Sequence, residues 1–397
     1  APCPLPPAPL PPCPLTPPAP PCPPAPPVPL LFINNPGSPM LHAAITPIEK
    51  TKVPQRIAYY LRDPANLHYF AALKPYLDYF LQQGSNQNFL VVRQFSADGE
   101  GNHEYAGYNH LLTTNCDLDT YDLVLTPSFL RAEERTRHTR AIQIFHGMSD
   151  KPFTYERDFS DYRLCLCVGR RQVDRLLQTP ANRTMRWSLI GYPKFDCPPT
   201  LPKLFDNGRK TIIYCPTWRK RGISSIEHFL NNLDVVDQIR QDYNLIVKPH
   251  PNIFNPNRPF YDPTIVARLQ RIPDIKLIRS GNVMPWFAQA DLFIGDISAS
   301  GYEWLYFDRP AVFLNPQPGL LRRSADVTSM TYLWQCGDVC DRMSDLKPLI
   351  DQNLQCDRYH DQRERVLHYS VLNPRDNRAT QRGIAQIEQI LRSQVSQ

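Results

Sequence analysis

The stretch Ala141-Ile-Gln-Ile-Phe-His-Gly147 joins a short apolar run directly to a histidine and a glycine. Apolar residues of this kind in a short run favour a buried strand. The histidine then stands where the strand ends, and the glycine leaves little backbone cover around its ring. The stretch therefore predicts a strand of a parallel sheet that carries a polar side chain at its carboxyl end.

The same pattern recurs on both sides of this stretch. Residues 121–126 and 162–168 are further short apolar runs, and residues 66–83 carry apolar side chains at helical spacing. After a polar segment at residues 196–208, which predicts a linker, the alternation of strands and helices restarts and continues to about residue 314. Such alternation is typical of parallel α/β sheets. The sequence predicts two successive α/β lobes with a cleft between them.

The first 48 residues differ in composition from the rest. Of the 43 prolines, 17 lie within residues 1–30, and no Asp, Glu, Lys or Arg precedes Glu49. Proline at this density favours an extended polyproline II conformation, and the absence of a cation and of a continuous apolar run argues against a secretory signal. We expect a disordered, proline-rich leader at residues 1–48, two Rossmann-like lobes at 49–200 and 201–373, and a C-terminal helix at 374–397 that packs back across the lobes.

Apolar runs, net charge and cysteine spacing argue against several classes of protein. No run of 18 apolar residues occurs, so no membrane-spanning helix is expected. The net charge of +6 suits anionic small molecules or an anionic membrane surface but falls short of the charge typical of nucleic-acid binding. The 11 cysteines lack the spacing of a zinc site, which favours reduced thiols in a cytosolic protein and predicts no metal ligands.

His146 is the first candidate for chemistry. An imidazole at a strand tip, with Asp150 nearby to orient it, fits a general base that takes a proton from a hydroxyl. A histidine that only caps a turn through hydrogen bonds explains the residue as well.

A second histidine holds the matching position in the second lobe. In Val247-Lys-Pro-His-Pro251, two prolines restrict the backbone around His250 directly after an apolar run. Lys248 and His250 suit the binding of a phosphate. The alternative is a solvated loop histidine, but the repetition of the His146 position favours a functional role.

A third segment, Gly295-Asp-Ile-Ser-Ala-Ser-Gly-Tyr-Glu303, follows another predicted strand and opens a helix. Small residues allow a phosphate to approach the free N–H groups of a helix start, and serine hydroxyls add donors. The candidate donor-binding residues here are Asp296, Ser298, Ser300, Gly301 and Glu303. A purely structural alternative exists, because Asp296 and Ser298 are good N-caps and Glu303 can complete a capping box.

A fourth segment, Tyr214-Cys-Pro-Thr-Trp-Arg219, places a hydroxyl, an aromatic ring and a cation at the end of a predicted strand. Thr217 and Arg219 are therefore candidates for contact with an anionic donor. Arg219 also begins a short run of charged residues that an ordinary solvated surface explains.

Taken together, these four segments resemble the CDP-glycerol glycerophosphotransferase family, whose members build teichoic-acid-like and capsular polymers. The order and spacing of the segments match over about residues 120–315. The resemblance implies a GT-B-like fold of two Rossmann-type lobes, with the acceptor in the first lobe and the nucleotide in the second. It also implies transfer without a metal or any other cofactor.

The resemblance assigns a role to each matching residue. His146 would activate the acceptor hydroxyl, and His250 would bind or neutralise the phosphate of the donor. Ser298 and Ser300 would hold the diphosphate, and Glu303 would lie near the ribose. The implied partners are a CDP-activated or other nucleotide-activated donor and a hydroxyl-bearing polymer or lipid-linked acceptor, in the cytoplasm or at the inner face of the plasma membrane, with no nucleic acid.

The chain departs from the family pattern in two places. The family's HG turn is commonly followed by a Thr-Pro-Leu-Lys-type run, and here Met148-Ser-Asp-Lys151 follows it. The serine-rich segment commonly reads Asp-Tyr-Ser-Ser and here reads Asp296-Ile-Ser-Ala-Ser300. A GT-B glycosyltransferase that uses a nucleotide sugar, or an enzyme similar to nucleotide-sugar 2-epimerases, therefore stays open. A non-enzymatic adaptor that docks through the proline-rich leader is a third alternative, in which the histidine and serine segments have no role.

Overall fold

The computed structural model describes residues 55–62, 67–84, 86–93, 108, 110–113, 118–130, 134, 140–198, 200–218, 222–258 and 261–395. The predicted leader at residues 1–48 and the candidate Arg219 lie outside these residues. No helix in the described ranges is long and apolar enough to cross a membrane.

The strands of the described chain are short. They are β1 (Arg56–Leu61), β2 (Gln87–Arg93), β3 (His110–Thr113), β4 (Leu123–Thr126), β5 (Ala141–Ile144), β6 (Leu164–Cys167), β7 (Trp187–Leu189), β8 (Thr211–Cys215), β9 (Asn244–Val247), β10 (Ile275–Leu277), β11 (Leu292–Gly295), β12 (Ala311–Leu314) and β13 (Asp338–Cys340).

Helices alternate with these strands. They are α1 (Leu67–Gln83), α2 (Pro152–Tyr155), α3 (Arg170–Leu176), α4 (Ile226–Asn231), α5 (Leu233–Asp242), α6 (Pro263–Arg271), α7 (Met284–Phe287), α8 (Ser300–Trp304), α9 (Leu346–Gln355), α10 (His360–Ser370) and α11 (Ala379–Val395).

The strands form two sheets in which all pairs are parallel. The first has the order β3-β2-β1-β4-β5-β6-β7, and the second has the order β10-β9-β8-β11-β12-β13. In each sheet the chain proceeds from a central strand to one edge and then crosses to build the other half, which is the doubly wound order of dinucleotide-binding folds. The predicted α/β class with two Rossmann-type lobes is confirmed.

Burial explains why the central strands are almost wholly apolar. Every residue of β4, β5, β8, β9, β11 and β12 is buried, as expected where helices cover both faces of a parallel sheet. Each Å² of apolar surface that these strands remove from water contributes roughly 25 cal/mol to the stability of the lobe.

The chain returns to the first lobe after the second sheet. In α11, Ile384, Ile387 and Leu391 pack in the same apolar cluster as Leu73 and Leu77 of α1. The Tyr79 hydroxyl donates to Glu388 Oε1 at 2.7 Å. The C-terminal helix is thus held on the first lobe by its apolar face and by a polar contact at the rim.

The two sheets place their unusual residues at the carboxyl ends of strands. His146 follows β5, Pro216 follows β8, Lys248 follows β9 and Asp296 follows β11. In each sheet, the strand order reverses between the first strand and the fourth, and ligands of doubly wound folds bind outside the strand ends at this point. The fold therefore brings the sequence motifs to facing edges of two sheets.

Candidate active site between the two lobes

A cleft between the lobes collects side chains from both. The first lobe contributes Tyr69, His146, Ser149, Lys151 and Lys194. The second lobe contributes Trp218, Lys248, His250, Asn252, Asn282, Ser298, Ser300 and Glu303. Of the residues selected from the sequence, the cleft therefore brings together His146, Lys248, His250, Ser298, Ser300 and Glu303.

The ring of His146 is held in one tautomer. Its Nδ1 lies 2.9 Å from the carbonyl oxygen of Pro127. Because a carbonyl oxygen can only accept, the proton of the neutral ring resides on Nδ1 and Nε2 is the basic nitrogen. Tyr69 packs its ring edge-on against the imidazole, with 4.3 Å between ring centroids. His146 thus has the geometry of a base that acts through Nε2.

The surroundings of His146 keep it neutral at physiological pH. Burial lowers its pKa to about 4, and the charges of Lys194 and Lys151 act in the same direction. Bound anions in the cleft would counter both effects, because a negative charge nearby favours the protonated ring.

Asp150 does not orient His146, contrary to the expectation from the sequence. Its Oδ1 accepts from Arg171 at 2.5 Å and from Arg175 at 3.0 Å, and its Oδ2 accepts from the Tyr302 hydroxyl at 2.7 Å. Asp150 is 5% exposed, so both oxygens are used inside the protein. Since Tyr302 belongs to the second lobe, Asp150 is an anchor between the lobes.

The ring of His250 is held in the other tautomer. Its Nδ1 accepts from the backbone N–H of Asn252 at 3.1 Å, so the proton of the neutral ring resides on Nε2. The backbone N–H of His250 in turn donates to the Pro216 carbonyl at 3.1 Å. Burial, together with the charges of Lys151 and Lys248, lowers the pKa of His250 to about 3. His250 thus offers a neutral N–H donor.

Lysine side chains from both lobes reach the cleft. Lys248 is 6% exposed, and its Nζ donates to the Ser280 carbonyl at 3.3 Å. Burial lowers its pKa. From the first lobe, Lys151 Nζ donates to Thr217 Oγ1 at 2.7 Å and Lys194 Nζ donates to Glu303 Oε1 at 2.8 Å. Three ammonium groups and one carboxylate give the cleft a positive balance suited to phosphates.

The serine-rich turn presents hydroxyls to the cleft. Ser298 Oγ and Ser300 Oγ lie 2.9 Å apart, and the backbone N–H of Ser300 donates to Ser298 Oγ at 3.3 Å. Because α8 has only five residues, its dipole is small, and the hydroxyls are the turn's main donors toward a ligand.

Asp296, Thr217 and Gly301 have structural roles instead of the predicted contact with the donor. The Asp296 carboxylate accepts from the N–H groups of Thr217 and Ser225, and burial raises its pKa to about 6. Thr217 is fully buried and accepts a hydrogen bond from Lys151, and it does not line the cleft. A Cβ on Gly301 would lie 2.3 Å from Leu333 Cδ2, so this glycine permits close packing.

Glu303 lines the cleft but is already bound by the first lobe. Its Oε1 accepts from the Tyr192 hydroxyl at 2.5 Å and from Lys194. The side chain is 8% exposed. Sequence reasoning missed Tyr192, Lys151 and Lys194. Lys151 lies only five residues after His146, and Tyr192 and Lys194 follow the end of β7, so position after a strand is a usable signal for all three.

In the described part of the chain, no group of three or more His, Cys, Asp or Glu side chains is arranged to hold a metal ion. The polar groups of the cleft are instead the two imidazoles, the three ammonium groups, the serine hydroxyls and the Glu303 carboxylate. These groups can bind phosphate oxygens and exchange protons with hydroxyls.

The comparison with protein families identifies the second lobe. Residues 203–389 match the family described as CDP-Glycerol:Poly(glycerophosphate) glycerophosphotransferase. The chain is a transferase whose second lobe is similar to this family. The resemblance predicted from the sequence motifs is therefore confirmed. Among curated proteins, none matches the sequence.

Solved structures place the transferase in the GT-B-like class. The wall teichoic acid polymerase TagF is 15% identical with a TM-score of 0.56, over 86% of this chain and 90% of that one. A TagF variant soaked with CDPG is 14% identical with a TM-score of 0.58, over 86% and 90% of the two chains. A putative UDP-N-acetylglucosamine 2-epimerase from Listeria monocytogenes is 11% identical with a TM-score of 0.56, over 86% and 98%. At these identities the likeness establishes the fold.

Proposed function

We propose that the transferase moves a glycerol-phosphate or similar polyol-phosphate group from a CDP-activated donor to a hydroxyl acceptor, in the synthesis of a cell-surface polymer such as teichoic acid or capsule. The observation that carries the proposal is the pair His146 and His250, which have opposite protonation at Nε2 and line one cleft together with three lysines. The family match of residues 203–389 supports the choice of donor class.

In this proposal His146 is the general base. Its Nε2 takes the proton of the acceptor hydroxyl while the hydroxyl oxygen attacks the phosphorus that bears the polyol. A new O–P bond forms, and the bond between that phosphorus and the bridging oxygen of the diphosphate breaks. The bridging oxygen keeps the electron pair and leaves as part of CMP. One proton has moved to His146, and negative charge has moved to CMP.

His250 and the lysines stabilise the charge that develops on CMP. The Nε2–H of His250 donates to a phosphate oxygen, while Lys248 and Lys151 contribute positive charge from the two sides of the cleft. Fixed donors in a site with little water act more strongly than the same groups in solution. We propose that these groups make the reaction independent of a metal and of any other cofactor.

The remaining predicted contacts belong to donor recognition. Ser298 and Ser300 donate to the diphosphate through their hydroxyls, and Glu303 accepts from ribose hydroxyls. The donor thus lies mainly on the second lobe, and the acceptor reaches it from the side of His146. A cytoplasmic location with peripheral contact at the inner face of the plasma membrane fits an acceptor that is a polymer or is linked to a lipid.

The released nucleotide tests the donor class. The protein is incubated with CDP-glycerol or CDP-ribitol and, in parallel, with UDP-sugars, each with a polyol-phosphate primer. Release of CMP together with extension of the primer supports the proposal. Release of UDP, or epimerisation of a UDP-sugar, would assign the cleft to one of the alternative enzymes of the same fold.

A further inference from the structure

The hydroxyl of Tyr192 joins the two halves of the cleft. It lies 2.5 Å from Glu303 Oε1 in the second lobe and 3.1 Å from the backbone carbonyl of His146 in the first. The single hydroxyl proton serves the shorter contact, because a carboxylate is the stronger acceptor. Tyr192 is buried, and its pKa is raised by burial and by Glu303, so the hydroxyl stays protonated.

Only one oxygen of Glu303 is engaged by these contacts. Tyr192 and Lys194 both donate to Oε1, and Oε2 forms no hydrogen bond to any residue that the structure describes. The side chain is more than nine-tenths buried and lines the cleft. Because Glu303 lines the cleft and Oε2 has no donor among the described residues, Oε2 is suited to accept from a hydroxyl of a bound ligand.

The first lobe therefore determines how the second lobe presents its carboxylate. Both groups that hold Oε1 come from the 3₁₀ turn at residues 193–195 and the residue before it, and Lys194 is 8% exposed like its partner. A Cβ added at Gly147 would lie 3.3 Å from the Tyr192 hydroxyl, so this hydroxyl packs closely on the turn that follows His146. Separation of the lobes would remove Glu303 from Tyr192 and leave the hydroxyl proton to the carbonyl of His146.

We propose that Tyr192 is a positioning residue that couples donor binding through Glu303 to the placement of the His146 turn, with Lys194 supplying the compensating charge. The proposal rests on the proposed function for the identity of the donor. The contacts of Tyr192 are independent of which nucleotide binds. When the lobes are closed, the hydroxyl donates to the carboxylate while its oxygen packs against the turn that follows His146.

A double-mutant cycle with Tyr192→Phe and Glu303→Gln tests the coupling, with CDP as the probe in calorimetry. Tyr192→Phe keeps the ring, which packs against Phe195 with 5.0 Å between centroids, and removes only the hydroxyl. We expect it to weaken CDP binding about tenfold, as for loss of a hydrogen bond to a charged group. In the Glu303→Gln background the same change should weaken binding less than about twofold.

A matched control is available in the same lobe. The Tyr76 hydroxyl is buried and has no hydrogen-bond partner in the described chain, so Tyr76→Phe should leave CDP binding and turnover unchanged. Thermal melting of every variant checks that each one folds. A general loss of packing would lower CDP affinity equally with and without Glu303, and that result would overturn the proposal.

Steady-state kinetics gives a second readout. Glu303→Gln should mainly raise the KM for CDP-glycerol, whereas Tyr192→Phe should raise KM and also lower kcat, because the turn that follows His146 loses the hydroxyl that packs against it. An unchanged kcat in Tyr192→Phe would overturn the coupling. The four proteins of the cycle can show the expected coupling in CDP binding while the wild type transfers no glycerol phosphate. In that case the proposed function fails and the coupling stands. If the wild type binds neither CDP nor UDP, both fail.

Discussion

His146 and His250 line one cleft from opposite lobes, and their ring hydrogen bonds leave Nε2 basic in the first and protonated in the second. The difference follows from the backbone, since a carbonyl faces Nδ1 of His146 and an N–H faces Nδ1 of His250. Two residues that look alike in the sequence are therefore suited to different steps: removal of a proton from the acceptor and donation to the leaving phosphate.

Replacement of His146 should remove catalysis and spare binding. We expect His146→Ala to lower kcat about 100-fold or more, as is usual for loss of a general base, and to keep the Kd for CDP within about threefold. Turnover of CDP-glycerol and calorimetry with CDP measure the two effects. His368→Ala is the control, because the His368 side chain is 60% exposed and does not line the cleft. Turnover of His146→Ala within about tenfold of the wild type would exclude the base assignment.

His250 should make stability depend on pH. Its pKa is about 3 in the folded protein, below the ordinary value of 6.5, so the unfolded chain takes up a proton that the folded chain refuses as the pH falls below about 6.5. Stability is therefore present above that pH and lost toward acid. Between about pH 7.5 and about pH 5, wild type should lose about 2 kcal/mol more than His250→Gln. Urea unfolding at both pH values measures this difference, and equal losses would contradict it.

Asp150 should matter for stability more than for chemistry. Asp150→Asn leaves Arg171 buried without its ionic partner, and loss of one member of a buried pair costs about 3–5 kcal/mol. Urea unfolding measures the loss. Asp174→Asn is the matched control, because Asp174 pairs with the half-exposed Arg170 and such surface pairs contribute about 0–1 kcal/mol. A stable Asp150→Asn protein would show that the anchor between the lobes is dispensable.

Removal of divalent metals should leave transfer intact. The proposed phosphate ligands are Lys151, Lys248, His250 and the two serines, none of which is a carboxylate. We expect excess EDTA to change the initial rate of transfer less than about twofold, since fixed cationic side chains stabilise the leaving phosphate. The control adds Mg²⁺ back after chelation. A rate that collapses with EDTA and returns with Mg²⁺ would show that the reaction needs a metal.

The sequence predicted the lobes and the members of the cleft because both depend on local patterns. Apolar runs that end in polar turns mark strand ends, and parallel strands bring those ends to one edge, so His146, His250 and the serines meet. The partners of each side chain depend on contacts distant in sequence. Asp150 meets Tyr302 across 152 residues, and Tyr192 meets Glu303 across 111. No spacing rule reports such pairs, and for this reason Asp150 was assigned to the wrong partner.

In the proposed reaction, the phosphorus that carries the polyol moves to the acceptor. The most direct test uses CDP-glycerol labelled with ³²P at the phosphate next to glycerol, together with a hydroxyl-terminated glycerol-phosphate primer. Wild type should transfer the label to the primer and release unlabelled CMP, and His146→Ala should do neither at a comparable rate. Label recovered in released CDP, with an unlabelled primer, would contradict it.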